Sequence, residues 1–90
     1  MRFEWDENKR LASARKHGID FQDATAIFGG VMVAIEDDRF YMEQRFLTYG
    51  VLKGEVIAVV HTERGDVTRI ISARKATRYE EIEYYSQIVD

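Results

Sequence analysis

The run Arg69-Ile70-Ile71-Ser72-Ala73-Arg74-Lys75-Ala76-Thr77 begins as a strand and ends as the start of a helix. It sets Arg69, Arg74 and Lys75 on the strand and its exit, in a chain whose formal net charge is −3. The strand reading extends back to Val67. Successive side chains of a strand point to opposite faces. By that rule Val67, Arg69, Ile71 and Ala73 share one face, and Thr68, Ile70, Ser72 and Arg74 the other. Arg69 and Arg74 are therefore expected on opposite faces. Thr77 and Glu80 make a Thr-x-x-Glu capping box that opens the last helix. Its apolar face is expected to carry Ile82, Tyr85 and Val89.

Working outward from this run, Glu55–Glu63 is nearly all apolar at its centre, which predicts a central strand covered on both faces. Lys53-Gly54 and Arg64-Gly65-Asp66 read as tight turns. The strand Arg45–Tyr49 and the two that follow then form an antiparallel meander. Val31–Ile35 predicts a further strand, and the acidic stretch Glu36–Glu43 a turn region. Near the start, Phe3-Glu4-Trp5 alternates as a short edge strand does. Asp6 fits an N-cap, and Glu7–Lys16 a helix that ends in Arg15-Lys16-His17 before Gly18. Asp20 caps a second helix, with Phe21, Ala24, Ile27 and Phe28 on one face. The expected order is a short strand, two N-terminal helices, an antiparallel β-sheet meander and one C-terminal helix. That is an α+β fold, with helices on one face of the sheet and the other face partly open.

Ninety residues suit a single domain spanning residues 1–90. The chain has no cysteine, so no disulfide or thiolate metal site is expected. Nothing approaches the roughly 18 apolar residues of a membrane span, and Met1–Asp6 has no signal-peptide core. A cytoplasmic protein without membrane contact is expected. The acidic balance argues against a free-standing nucleic-acid binder. The local balance differs: Arg64, Arg69, Arg74, Lys75 and Arg78 stand against Asp66 alone. Such segregation suits a local anionic ligand or a solvated charged surface.

No metal or cofactor is implied. His17 and His61 have no partner in a ligand motif, no serine sits in an elbow, and Gly29-Gly30 lacks a phosphate-loop context. Acid–base chemistry without metal remains. Cleavage of RNA by its own 2′-hydroxyl needs a base, an acid and cations for the transition state. The candidate catalytic residues are Arg74, Arg69, His17, Lys16, Glu80 and His61. The candidate RNA-binding residues are Arg45, Arg64 and Lys75. Each has a plainer reading. His17 suits the helix dipole, His61 the rim of a sheet, Glu80 the capping box, and Arg69 a cross-strand pair with Glu55 or Glu63. Tyr79, Tyr84 and Tyr85 could stack on bases, but half-buried packing explains them as well.

Phe3-Glu4-Trp5-Asp6, Lys16-His17-Gly18, Asp20-Phe21 with Ala24 and Phe28, Arg45-Phe46 with Gly50, the run Arg69–Thr77, and Glu80 with Tyr84 together resemble the BrnT family of bacterial toxins. The resemblance implies a RelE-like fold and a metal-independent ribonuclease toxin of a type II toxin–antitoxin system, acting on RNA to inhibit translation and growth. It implies neutralisation by a BrnA-like ribbon-helix-helix antitoxin, with DNA contacted only indirectly through that complex. It matches Lys16, His17, Arg45, Arg69, Arg74 and Glu80 to family-typical positions. His61 and Arg64 come from chemistry and sheet position. The alternative is a non-catalytic toxin-like module that acts by binding a protein partner.

Overall fold

The structure, a computed structural model, describes residues 1–37 and 43–88. Strand β1 (Arg2–Trp5) leads into helix α1 (Glu7–His17). One short turn, α2 (Phe21–Ala24), tightens into a 3-10 stretch over Thr25–Gly29. Strands β2 (Val33–Asp37), β3 (Arg45–Leu52), β4 (Glu55–Arg64) and β5 (Val67–Lys75) follow, and α3 (Arg78–Ile88) comes last.

The chain is α+β, and β3, β4 and β5 form the expected antiparallel meander, but the expected RelE-like layout with two N-terminal helices is wrong. Only α1 is a full helix on that side, with 11 residues against 4 in α2. Asp20 does cap α2, accepting from the Gln22 amide. The Thr25 hydroxyl then donates to the Gln22 carbonyl at 2.7 Å. The β-branched and aromatic residues Thr25, Ile27 and Phe28 hold a helix poorly, and the turn narrows to 3-10. The sheet also differs. It has five strands in the order β1-β5-β4-β3-β2, and β1 lies parallel to β5 while the other pairs are antiparallel.

Helix α1 forms as read. Asp6 accepts from the amides of Asn8 and Lys9, and Gly18 closes the helix in the left-handed region at φ 70°. Ser13 holds α1 against the sheet: its buried hydroxyl lies 2.7 Å from the Ile19 carbonyl and 3.1 Å from that of Ala73.

The sheet separates two apolar clusters. One joins Ile19, just after α1, with α2 and the 3-10 stretch to Ile57, Val59, Ile70 and Ala73, with Phe3 and Trp5 against it. The other gathers Val33, Tyr49, Val56, Ala58 and Tyr84 under α3. Gly50 permits the closest approach, since a Cβ there would stand 2.5 Å from the Ile27 Cβ. Helix α3 buries a face other than the expected one. Tyr84 is inside, donating to the Val31 carbonyl at 2.7 Å, while Ile82 and Tyr85 are exposed. Val89 and the Phe40-Tyr41 pair lie outside the described residues.

The face assignment of β5 is corrected by a bulge. Val60 pairs with Ser72 but His61 pairs with Ile70, so Ile71 is skipped in the ladder. One additional residue inverts the alternation beyond it. Ile70 and Ala73 both enter the α1-side cluster. Their neighbours Arg69 and Arg74 therefore share the opposite face, contrary to the simple alternation.

Candidate active site

The last turn of α1, the end of β5 and the start of α3 meet at an open cleft of about 490 Å³ lined by Lys16, His17, Arg74, Lys75 and Thr77. Two chain segments distant in sequence, the end of α1 and the β5–α3 junction, thus deliver cations to one place. Lys16 and His17 arrive there because the basic last turn of α1 ends at Gly18. Among the described residues neither side chain has a hydrogen-bond or ion-pair partner. Lys75 pairs with Glu55 at 3.3 Å, but both side chains are largely exposed. Such a pair holds weakly and exchanges readily for another anion.

Arg74 is held far more firmly. Its Nη1 donates to Glu80 Oε1 at 2.7 Å and its Nη2 to Glu80 Oε2 at 3.0 Å, a two-pronged contact. Nη1 also donates to the Lys75 carbonyl at 3.2 Å. Glu80 completes the capping box read from the sequence. It accepts from the Thr77 amide at 2.9 Å, and its own amide donates to the Thr77 hydroxyl at 3.1 Å. The Tyr49 phenol donates to Glu80 Oε2 at 3.3 Å from inside the α3-side cluster. The bonds from Arg74 pull the Glu80 carboxyl down to about 2, burial opposes them, and the bonds from Thr77 add to the lowering. Burial, followed by the Glu80 charge, pushes the Tyr49 phenol up to about 12. Glu80 is thus an anion and Tyr49 a neutral donor at any ordinary pH.

The remaining candidates stand at the other end of β5. At ~3.3 Å per residue, Arg69 is roughly 15 Å along the strand from Arg74. Arg69 pairs with Glu4 at 3.0 Å across the β1–β5 register, rather than with Glu55 or Glu63. Arg64 is exposed at the β4–β5 turn. Arg45 donates to Glu43 at 2.7 Å at the start of β3. His61 is buried at 5% exposure, stacked on Phe46 and met edge-on by Phe28. Its Nε2 lies 2.7 Å from the Thr48 hydroxyl and its Nδ1 2.7 Å from Glu63, which also accepts from Thr68. Burial pushes the His61 imidazole down, against the pull of Glu63. None of these four lines the cleft. Thr77 and Tyr49 are contributors that the sequence reading did not name as site residues. Thr77 was legible only as a cap.

The cleft can hold an anion on several cations beside an exposed imidazole. A family model described as the ribonuclease toxin BrnT of type II toxin–antitoxin systems matches residues 5–80. The chain belongs to the BrnT family. Its kin are ribonuclease toxins, and the system they form supplies an antitoxin partner. The matched span of this BrnT chain contains every residue of the cleft as well as Tyr49 and Glu80. No curated protein matches the chain.

Proposed function

We propose that this BrnT chain cleaves RNA at the cleft between α1, β5 and α3, without a metal ion. The convergence of Lys16, His17, Arg74 and Lys75 on one open cleft carries this reading. Arg74, Lys75 and Lys16 hold the scissile phosphate and spread the charge that builds on it in the transition state. His17, exposed and without a partner among the described residues, moves the proton of the attacking 2′-hydroxyl or of the leaving oxygen. Lysine and arginine around a cleft repel a divalent cation, which supports a metal-independent route. His61, Arg64, Arg69 and Arg45 take no part in the chemistry. They serve the sheet and its surface.

The partner in this reading is a BrnA-like ribbon-helix-helix antitoxin, through which any contact with DNA passes. The site of action is the cytoplasm, and residues 1–90 act as one domain. Among the described residues no helix is long and apolar enough to cross a membrane.

Induced expression in bacteria tests the proposal. Growth should stop, total RNA should fragment, and added chelator should not protect RNA from the purified chain. Arg74→Ala should restore growth while the protein stays folded. Abundant folded wild-type protein that leaves growth and RNA intact would contradict the proposal and favour the non-catalytic binding module.

A further inference from the structure

Three neighbouring strands place a row of side chains under α3. Tyr49 pairs with Ala58, and Ala58 pairs with Arg74. Tyr49 and Arg74 are thus two strands apart, about 10 Å between backbones. Ala58 between them is small and fully buried, so the phenol crosses above it. It meets Glu80 on the oxygen that Arg74 Nη2 also uses.

The donor inventory of Arg74 shows what this does. A guanidinium has five N–H groups in a fixed plane. Glu80 takes one from each terminal nitrogen, and the Lys75 carbonyl takes a second from Nη1. The remaining two are the Nε proton and the outer Nη2 proton. They lie side by side along one edge, the spacing that grips two phosphate oxygens. Among the described residues neither has a partner, and Arg74 lines the cleft.

We propose that Tyr49 and Glu80 are positioning residues that lock one edge of the Arg74 guanidinium and leave its Nε edge set for a phosphate. This rests on the cleavage reading above and extends it to two residues that do not touch RNA. Glu80 is then no proton carrier, although it stood among the catalytic candidates. The bonds from Arg74 hold it as an anion far below the range of a useful base. Tyr49 fixes the carboxylate plane from inside the core. Without it Glu80 keeps the cap and a bond to Arg74, but the plane can turn and the fork turns with it.

The test uses the purified chain labelled with nitrogen-15, with Arg74→Lys identifying the Arg74 Nε signal by its loss. In the wild type that signal should be sharp, with slow rotation of the guanidinium. Tyr49→Phe keeps the ring and removes the donor. It should speed that rotation several-fold while the thermal midpoint stays within a few degrees. Glu80→Gln should do so more strongly. With RNA, Tyr49→Phe should lower kcat about tenfold and change KM less than about twofold. In the Arg74→Lys background, where no fork remains, Tyr49→Phe should change cleavage less than about twofold. An unchanged Arg74 signal in both Tyr49→Phe and Glu80→Gln would overturn the positioning role. So would an equal loss of cleavage in both backgrounds. A wild type that shows the locked Arg74 signal and its loss in the variants, yet never cuts RNA, would overturn the cleavage reading and leave the lock standing.

Discussion

At one end of β5 the chain sets His17 on the surface beside Lys16, Arg74 and Lys75. At the other end it buries His61 between Phe28 and Phe46. Both histidines stand near cationic side chains, yet their surroundings give them opposite properties. Both ring nitrogens of His61 are engaged, by Thr48 and Glu63. No atom of it can reach a substrate without breaking that network. Two of the cations at that end are already occupied too: Arg69 by Glu4 and Arg45 by Glu43. At the cleft the one strong ion pair, Arg74 with Glu80, occupies only part of the arginine. A saturated polar cluster adds stability and uniqueness to a fold. A cluster with donors to spare is where an anion binds.

The sharpest way to break this contrast is to remove Arg74. Arg74→Ala should lower cleavage by about 10²–10³-fold, a loss typical of a transition-state cation. The two histidines should then dissociate. His17→Ala should cost about 10²-fold in rate and under about 0.5 kcal/mol in stability, measured by cleavage and urea titration. His61→Ala should do the reverse. It leaves the buried Thr48 hydroxyl without its ring partner and a cavity between Phe28 and Phe46, and should cost about 2–4 kcal/mol, with the rate per folded molecule nearly unchanged.

Acid should separate the ends as well. His61 is held below its usual 6.5, so the unfolded chain takes up its proton first as pH falls. The stability tied to neutral His61 is complete above about pH 6.5 and is lost on descent below it. Glu80, held at about 2 against 4.5, contributes stability that is complete above about pH 4.5 and is lost only between there and about 2. Urea midpoints should therefore drop already between pH 7 and pH 5, and His61→Gln should flatten that segment of the curve. The smallest effect belongs to Arg69→Ala. Its exposed pair with Glu4 should be worth less than about 1 kcal/mol, and cleavage should hold.

Much of this was legible before the structure. The caps at Asp6, Gly18, Asp20 and Thr77 fall where the sequence puts them, because capping is local chemistry. The covered central strand is visible in Val56–Val60. The family is carried by residues spread along the chain. Two features were not legible. The second helix fades because Thr25 and its neighbours compete with helical bonding, a balance that a helical-face pattern does not weigh. The convergence of the site depends on the bulge at Ile71. Counting back from the turn that pairs Arg64 with Val67, Ala58 should face Ala73. It faces Arg74 instead. That single slip puts Arg74 in line with Tyr49 and brings Arg69 to the same face. Nothing in Val60, His61 or Ile71 announces it.

The central claim is that RNA meets the chain at the α1–β5–α3 end. A nitrogen-15 titration of the wild type with a short oligoribonucleotide, 2′-O-methylated so that it cannot be cut, tests it most directly. The amide signals of Lys16, His17, Lys75 and Thr77 should move together and saturate, while those of Thr62, Arg64 and Arg69 stay within noise. Saturating shifts at Thr62, Arg64 and Arg69, with His17 and Lys75 still, would contradict the account.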